Sequence, residues 1–322
     1  MKDFLITGAA GFIGSSLCEA LLAQGHSVVG VDAFNQTYDP QLKRWNLTQC
    51  LADTRFELIQ ADILDEHEIQ ELLVSASPDA VIHLAALAGV RPSILNPVLY
   101  QRVNVEGTTN VLEATRRAGI KRFVFGSSSS VYGERTETPF RETDPVDHPV
   151  SPYAATKKAG ELLCHTYHHL FDMEIDCLRF FTVYGPRQRP EMAIYKFADA
   201  MLDNRTITLY GDGSSARDYT YITDIVDGVI SALDNPAGYR VMNLGGAHVV
   251  PLKVLVRSIA DVWGCTPTLA YLPNQAGDVS ITSADVQRAQ TALGFEPKVN
   301  LSQGLERFAQ WLRVVKQTPS AR

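Results

Sequence analysis

The chain contains 322 residues, of which 45% are hydrophobic and 20% charged, a balance typical of a globular protein with room for about two domains. A net charge of -7 argues against nucleic acid as a general partner, and five cysteines without a CxxC pair argue against a disulfide framework or a zinc site. No apolar run reaches the roughly 20 residues that a membrane span needs, and no signal peptide fits before the first strand, so a cytoplasmic protein is expected.

Short apolar runs alternate with amphipathic segments through the first half of the chain. The predicted strands span residues 3–8, 27–33, 56–62, 80–86, 122–128 and 175–185, and a further strand follows at 240–246. Near-continuous apolar strands that alternate with helices indicate a parallel sheet covered on both faces. The sequence therefore predicts an α/β fold with a doubly wound parallel sheet and a smaller α/β lobe.

The segment "ITGAAGFIG" places Gly8, Gly11 and Gly14 between the first predicted strand and a helix. Glycine there permits a tight turn and a close approach of backbone to a pyrophosphate, which then binds at the helix N-terminus. Asp32 ends the second strand, where a carboxylate accepts hydrogen bonds from a ribose 2′-hydroxyl and repels a 2′-phosphate. This pattern predicts dinucleotide binding with NAD preferred over NADP. Asp62, at the end of the third strand, fits either an adenine contact or a helix N-cap.

The glycine motif assigns the first half of the chain to cofactor binding. Residues 1–185 are predicted to form an NAD-binding Rossmann domain, to which the strand near 240–246 returns. Residues 186–238 and 247–322 are predicted to form the substrate-binding lobe. The chain would then cross between the lobes more than once.

A tyrosine and a lysine in "YAATK", Tyr153 and Lys157, stand four residues apart on one face of a predicted helix. Such pairs are common by chance, but here a serine run at 127–130 precedes the tyrosine and a dinucleotide motif lies upstream. A tyrosine has a pKa of about 10, which a nearby ammonium and an oxidised nicotinamide would lower. A serine hydroxyl can donate or relay the proton. The combination predicts hydride transfer at a carbon that carries a hydroxyl.

With these motifs, the chain resembles the extended short-chain dehydrogenase/reductase family, in the branch that modifies nucleotide sugars. The resemblance covers about residues 3–314 and rests on "TGAAGFIG", "HLAA", "NVEGT", "SSSSVYG", "YAATK", "YGPRQRP", "GDGSSARDYTYITDI" and "NLGG". It implies that Ser128 is the catalytic serine, Tyr153 the base and Lys157 a ligand of the nicotinamide ribose. The cofactor-binding positions that it implies are Gly8, Gly11, Phe12, Ile13, Gly14, Asp32, Asp62, Ile63, Leu84, Ala85, Ala86, Asn104, Tyr153 and Lys157.

The same resemblance extends to the nucleotide end of the substrate and to assembly. It implies that Arg217 contacts the nucleotide diphosphate and that Asp278 lies in a segment that reaches the nucleoside. Gln275 stands where the family usually has an arginine, which puts one polar contact in doubt. The family also implies a homodimer, in which the helices at 98–118 and 153–171 pack as a four-helix bundle.

The residues after Ser128 discriminate among the reactions of this branch. Dehydratases carry an Asp-Glu pair there and UDP-glucuronate decarboxylases carry a glutamate before the Val-Tyr-Gly triplet, whereas this chain has Ser129 and Ser130. Thr182 stands where UDP-glucose 4-epimerases place an asparagine, and "TVYGPRQRPEMAIYKF" is similar to the UDP-glucuronate 4-epimerases. Their substrate loop resembles residues 88–93, although proline replaces the expected aromatic residue there. The resemblance therefore favours a sugar acid as substrate.

A glucuronate carboxylate would be a hydrogen-bond acceptor for the serine run. Oxidation at C4 makes a β-keto acid, which loses carbon dioxide unless its carboxylate is held out of alignment and well hydrogen-bonded. Predicted donors to that carboxylate are Ser129, Ser130, Thr182 and Arg189, the last of which is alternatively a surface or diphosphate-facing cation. The expected function is 4-epimerisation of UDP-glucuronate to UDP-galacturonate through a transient 4-keto sugar. The alternatives are a UDP-glucose or UDP-N-acetylhexosamine 4-epimerase, a UDP-glucuronate decarboxylase and a non-catalytic NAD-sensing protein.

Overall fold

The computed structural model describes residues 1–275 and 277–317, so Ala276 and residues 318–322 of the predicted substrate-binding lobe lie outside the described residues. The strands are β1 (Asp3–Thr7), β2 (Ser27–Val31), β3 (Phe56–Ile59), β4 (Ala80–His83), β5 (Arg122–Ser128), β6 (Glu174–Phe180), β7 (Thr182–Tyr184), β8 (Ile207–Tyr210), β9 (Ala216–Tyr221), β10 (Tyr239–Leu244), β11 (Val249–Pro251) and β12 (Leu269–Leu272). The helices are α1 (Phe12–Ala23), α2 (Pro40–Asn46), α3 (Glu66–Ala76), α4 (Val90–Leu95), α5 (Pro97–Gln101), α6 (Gly107–Arg117), α7 (Pro152–Phe171), α8 (Ala193–Leu202), α9 (Ile222–Asp234), α10 (Leu252–Trp263), α11 (Gln287–Leu293) and α12 (Leu301–Gln317). Within these ranges no helix has the length and apolar character that a membrane crossing requires.

Seven parallel strands form the central sheet, in the order β10-β6-β5-β4-β1-β2-β3. Alternate residues of β1 are buried on opposite faces, since Phe4 and Ile6 join one apolar cluster and Leu5 joins the other. Strand order reverses at β1, which pairs with β2 on one side and β4 on the other. Ligands of doubly wound sheets bind beyond the carboxyl ends of the strands at this point. The predicted fold class is confirmed.

The predicted strand at 175–185 is in fact two strands that belong to different sheets. β6 pairs with β5 and β10 in the central sheet, whereas β7 pairs with β9 in a three-stranded sheet ordered β11-β9-β7. The change of sheet occurs at Phe181, whose backbone N–H donates to the Leu244 carbonyl at 3.0 Å. Most residues of both strands are buried, so the apolar run shows no boundary in the sequence. This turn brings the end of β6 and the start of β7 next to the carboxyl ends of the sheet.

The predicted helix at 98–118 is interrupted. α5 and α6 are separated by one π-helical turn at residues 102–106, a local widening that is common at functional sites. Asn104 on this turn is buried, and its amide bonds both the N–H and the carbonyl of Leu87 at 2.8 and 2.9 Å. Its side chain also donates to the Thr156 hydroxyl of α7 at 3.1 Å. The π-helical turn therefore fastens the loop after β4 to helix α7.

A buried histidine joins the carboxyl ends of β1 and β4. His83 bonds the hydroxyls of Thr7 and Thr108 through its two ring nitrogens, at 2.7 and 3.0 Å. Burial, together with the charge of nearby Lys157, lowers the pKa of its imidazole to about 3. His83 is therefore neutral in the folded chain at all pH values at which the protein is expected to work.

We expect this histidine to make the fold sensitive to acid. In the unfolded chain, the imidazole of His83 takes up a proton below about pH 6.5. In the folded chain it does so only below about pH 3, so the free energy of unfolding falls as the pH drops from about 6.5 to about 3. Urea unfolding midpoints at pH 7 and pH 4.5 should therefore differ less in a His83→Gln variant than in the parent chain. His169→Gln, which changes an exposed histidine, is the control. An equal loss of stability in both variants and the parent would contradict this role of His83.

Candidate active site

A cavity of about 880 Å³ lies beyond the carboxyl ends of β1, β2, β4 and β5 and reaches the second lobe. All but one of the site residues predicted from the sequence line it. They are Gly8, Gly11, Phe12, Ile13, Gly14, Asp32, Asp62, Ile63, Leu84, Ala85, Ala86, Ser128, Ser129, Ser130, Tyr153, Lys157, Thr182, Arg189, Arg217 and Asp278. Asn104 is the exception, because its amide is turned to the loop after β4 and to α7. Asn104 therefore lies behind the cavity wall, where it holds the loop after β4 against α7.

The glycine loop between β1 and α1 has the close packing that a dinucleotide site requires. Gly8 has a φ of +72°, and a Cβ built on Gly14 would lie 2.1 Å from the Gly8 carbonyl oxygen. Helix α1 starts after Gly11, which caps it without a side chain. The first N–H groups of a helix have no partner within it, so these donors are available to an anion in the cavity. The loop therefore fits the diphosphate of NAD.

Two carboxylates line the cavity beyond the ends of β2 and β3, each held by backbone N–H groups. Asp32 accepts hydrogen bonds from the N–H groups of Ala10 and Phe34 at 3.1 and 2.8 Å, which fixes its carboxylate beside the glycine loop. Asp62 accepts from the Leu64 N–H at 3.0 Å. Helix α3 is capped by Asp65 and not by Asp62, so the N-cap interpretation of Asp62 is wrong. Its place on the cavity wall suits the alternative, a contact with the nucleoside.

The predicted catalytic residues meet where β5 ends and α7 begins. Ser151 caps α7 through the Ala154 N–H at 3.1 Å, which puts Tyr153 in the first turn of the helix, beside Ser128. One turn later, the Lys157 ammonium donates to the Gly126 carbonyl at 2.7 Å. Burial lowers the pKa of this ammonium to about 8.

The electrostatics of Tyr153 differ from the expectation in one respect. Burial raises the pKa of its hydroxyl, whereas the hydrogen bond with Ser128 and the charge of Arg189 lower it. The cation expected to lower this pKa was Lys157, but the cation that acts on the hydroxyl in the structure is Arg189. Arg189 also forms an ion pair with Glu191 at 3.1 Å, and only 20% of its side chain is exposed. Since it lines the cavity, its interpretation as a surface cation is wrong.

A buried ion pair that was not predicted from the sequence lies beneath these residues. Glu161, two turns after Tyr153 on α7, accepts from Arg179 at 2.7 and 2.8 Å and from the Ser127 hydroxyl at 2.7 Å. Burial opposes its ionisation, yet the Arg179 guanidinium holds the pKa of Glu161 below its usual range. The spacing of four residues after Lys157 was the available signal. This pair connects the serine strand β5, strand β6 and helix α7 directly below the catalytic groups.

The serines that follow Ser128 form one 3₁₀ turn at the end of β5. The Ser130 N–H donates to the Ser128 hydroxyl oxygen at 3.2 Å, which orients the turn. The Ser130 hydroxyl is buried, and no partner for it is found in the described part of the chain. A buried hydroxyl without a partner is costly, and a ligand in the cavity can supply the missing partner. With Ser129 and Thr182 it lines the cavity close to the predicted catalytic group.

Next to this cavity lies a smaller one of about 210 Å³, and Arg217 and Asp278 line both. Arg91, from the first turn of α4, lines the smaller cavity, pairs with Asp278 at 2.5 Å and lies over the ring of Tyr210, 4.8 Å from its centroid. The Arg217 guanidinium donates to the carbonyls of Ala216 and Ser280, at 2.9 and 3.5 Å. Arg91 lies within residues 88–93, which resemble a substrate loop, but no role was predicted for it. These groups place two cations and an aromatic face at this end of the site.

Fold and site together define a dinucleotide-binding enzyme of the type with a Ser-Tyr-Lys set. The model of the NAD dependent epimerase/dehydratase family matches residues 4–245, and the chain belongs to this family. It is 42% identical to the UDP-glucuronate 4-epimerase of Thermodesulfobacterium geofontis over 97% of this chain and 96% of that protein. It also resembles the Bacillus cereus UDP-glucuronic acid 4-epimerase solved with UDP-glucuronic acid and NAD (TM-score 0.91, 39% identity, 97% and 99% of the two chains). A UDP-glucose 4-epimerase from Thermotoga maritima is nearly as similar in structure (TM-score 0.90) at 30% identity, over 98% and 99% of the chains.

The histidines of α7 do not belong to a metal-binding group in the described part of the chain. Over residues 1–275 and 277–317, no group of three or more His, Cys, Asp or Glu side chains is arranged to hold a metal ion. His165 and His169 stack on α7 with ring centroids 6.5 Å apart, and His168 bonds the Met173 carbonyl at 2.8 Å. These histidines therefore take part in packing and surface contacts.

Proposed function

We propose that the protein is a 4-epimerase that converts UDP-glucuronate to UDP-galacturonate with NAD as its resident cofactor. The observation that carries this proposal is the partnerless, buried Ser130 hydroxyl beside Ser128 and Tyr153, in a turn that contains hydroxyls and no carboxylate. Relatives of 42% and 39% identity that bear this name support it. In the same proposal, residues 1–185 with the strand near 240–246 bind the cofactor. Residues 186–238 and 247–322 then bind the sugar nucleotide.

The cavity fits NAD with its adenosine near Asp32 and Asp62 and its diphosphate on the glycine loop. The close approach between Gly8 and Gly14 supports this fit, since any side chain there would occupy the place of the loop backbone. When bound, NAD would supply the acceptor and later the donor of the hydride at sugar C4, so that the reaction would have no net redox change. Lys157 would hold the nicotinamide ribose.

The chain's own residues move the proton. Tyr153, as a phenolate, accepts the proton of the sugar C4 hydroxyl and later returns it. Ser128 bonds the same oxygen and keeps the tyrosine oriented, as its hydrogen bond with Tyr153 suggests. Arg189 provides the positive charge that a phenolate requires in this buried place.

The serine turn protects the oxidised sugar. A 4-keto glucuronate is a β-keto acid, which decarboxylates when its carboxylate bond aligns with the carbonyl π system. Hydroxyls from Ser129, Ser130 and Thr182, with the guanidinium of Arg189, would hold the carboxylate solvated and out of alignment. No acidic side chain in this turn competes for these donors. The keto sugar can then rotate and be reduced from its other face.

The UDP part of the substrate is assigned to the second lobe. Arg217 is proposed to bind the diphosphate, and Asp278, through its ion pair with Arg91, to border the nucleoside. Strand β9 is held in place for this by buried Asp218, which accepts from the N–H groups of Gly246 and Ala284 at 2.7 and 2.9 Å.

We also propose a cytoplasmic homodimer. Residues 98–118 and 153–171 carry several exposed apolar side chains, which supports packing of these helices against a second copy. The exposed side chains are Val98, Leu99, Leu162 and Leu170. Burying such side chains between two copies is a common basis of stable homodimers.

The function is tested by incubating the purified protein with UDP-glucuronate, without added cofactor, and following the products by proton NMR. We expect UDP-galacturonate as the main product, with NAD supplied by the protein itself. UDP-xylose or a 4-keto pentose would identify a decarboxylase. No reaction with UDP-glucuronate, but turnover of UDP-glucose or UDP-galactose, would move the substrate to the neutral sugars.

The same assay tests the serine turn. In a Ser129→Ala/Ser130→Ala variant, we expect decarboxylated by-product to rise or epimerisation to fall by about 10- to 100-fold, because the carboxylate loses charge-assisted hydrogen bonds worth about 1.5–3 kcal/mol. Ser302→Ala, which changes an exposed serine of α12, is the matched control and should behave as the parent does. Unchanged rate and product purity in the double variant would remove the turn from the mechanism.

A further inference from the structure

Lys43 on helix α2 is a buried cation to which neither the family resemblance nor the mechanism assigns a role. It is 5% exposed, and its ammonium donates to the carbonyl and the side-chain oxygen of Asn35, at 2.9 and 2.7 Å. Among the described residues, no carboxylate oxygen lies within 4.0 Å of its nitrogen. Burial lowers the pKa of this ammonium, and the charge of Arg189 lowers it further, whereas the charge of Asp32 opposes this shift without contacting the ammonium. Burying a charge without a partner is unfavourable, so a chain normally pairs it or gives it a ligand.

The position of α2 shows where that ligand lies. Asn46, three residues after Lys43 and on the same side of the helix, donates to the Ala10 carbonyl of the glycine loop at 3.1 Å. The N–H of the same Ala10 donates to Asp32. Lys43 lines the cavity together with Gly11 and Ile13, the residues at the start of α1. Lys43 thus lines the cavity from the helix that contacts the glycine loop, and the diphosphate of a dinucleotide binds at such a loop.

The residues around Lys43 fix the position of its ammonium. Its nitrogen lies 5.0 Å from the centroid of the Tyr38 ring, which also lines the cavity. The loop that carries Asn35 and Tyr38 ends in Asp39, which caps α2 by accepting from the Gln41 N–H at 2.8 Å. The lysine is thus fixed by a side-chain amide, an aromatic face and a capped helix. A flexible surface lysine would have none of these constraints.

We propose that Lys43 is a binding residue for the diphosphate of NAD, and that it supplies a full positive charge beside a glycine loop that offers only N–H donors. This inference rests on the cofactor part of the proposed function and not on the identity of the sugar. A 2′-phosphate is the other anion that Lys43 could meet, but Asp32 stands beside it and repels that group. Lys43 therefore strengthens NAD binding through the diphosphate, while Asp32 sets the preference for NAD.

The test compares Lys43→Met with Arg44→Met in the full chain, stripped of nucleotide, by calorimetric titration with NAD, NADP, ADP and adenosine. Arg44 is the adjacent cation, but it lies over the Phe34 ring and donates to Gln60, so it is the matched control. We expect Lys43→Met to weaken binding of NAD and ADP by about 10- to 100-fold, the usual loss for one charge-assisted hydrogen bond. Adenosine, which has no phosphate, should bind the variant and the parent equally.

A thermal melt separates ligand binding from a structural role. Because burial disfavours the Lys43 charge when no ligand is bound, Lys43→Met should melt at or above the parent temperature without nucleotide and gain less on adding NAD. NAD affinity within threefold of the parent, an equal loss for adenosine, or a loss confined to NADP would each overturn the proposal. If neither Lys43→Met nor Lys43→Gln folds without nucleotide, Lys43 is structural and the proposal is wrong. A parent chain that binds no NAD would instead refute the proposed function itself.

Discussion

Tyr153→Phe is expected to lower the turnover of UDP-glucuronate by about 1000-fold, the contribution of a positioned acid–base group, while NAD stays bound. The change removes one hydroxyl and keeps the ring, so the first turn of α7 should be unaltered. Neither Ser128 nor Lys157 is expected to replace the lost hydroxyl. The Lys157 ammonium is already held by the Gly126 carbonyl. Product formation by proton NMR and the NAD content of acid-extracted protein are the two readouts.

Tyr100 provides the control for this substitution. Its ring packs edge-on against Tyr153, with centroids 6.3 Å apart, and its hydroxyl donates to the Ala88 carbonyl at 2.9 Å. Tyr100→Phe therefore removes a neighbouring hydroxyl that has a structural partner, and we expect a loss of less than about tenfold. Turnover of Tyr153→Phe within tenfold of the parent would exclude Tyr153 as the base. Loss of NAD from that variant would show that the substitution damages the cofactor site instead.

The largest expected effect on stability is that of Glu161→Met, which should lower the free energy of unfolding by about 3–5 kcal/mol. The Arg179 side chain is 2% exposed, so removing its carboxylate partner leaves a buried charge without compensation. The Ser127 hydroxyl loses its acceptor at the same time. Urea unfolding of the nucleotide-free chain measures the change.

Two further variants make this measurement specific. Glu161→Met combined with Arg179→Met should recover most of the stability, since replacing a whole buried pair by apolar side chains is often neutral. Glu106→Gln breaks an exposed pair with Arg102, 3.8 Å long, and should change the unfolding free energy by less than about 1 kcal/mol. A double variant no more stable than the single one would mean that Glu161 acts through Ser127 or the helix, and not through the ion pair.

Much of the central sheet was predictable because its strands are short runs that are mostly apolar. Strands β1 to β5 fall within the predicted ranges, since parallel strands covered by helices carry few polar residues between their ends. The same property concealed the boundary at Phe181, because a run that is buried throughout does not show where one sheet ends and another starts. The pairing of strands, which decides that boundary, depends on residues far apart in the chain.

The candidate site divides in a similar way. Short-range motifs located the glycine loop, the serine turn and the Tyr153–Lys157 pair, since each of them occupies neighbouring positions on one element. Lys43 and Glu161 escaped because a charged residue in a helix is usually exposed, and only packing shows that these two are buried. Asn104 was placed on the cavity wall, but its amide is turned to the loop behind it by the π-helical turn, which has no known sequence signal.

The edge position of β10 has a consequence for the order in which the protein is made. Its neighbour β6 carries Asp176, a buried carboxylate that accepts from Arg240 of β10 at 2.6 and 2.7 Å and also pairs with Arg122. A chain emerging from the ribosome contains the glycine loop, the serine turn and α7 long before residue 239 appears. Until then β6 has an open edge, and open strand edges favour aggregation. The nascent cofactor half therefore depends on a late strand, and shielding of that edge during synthesis should govern the yield of folded protein.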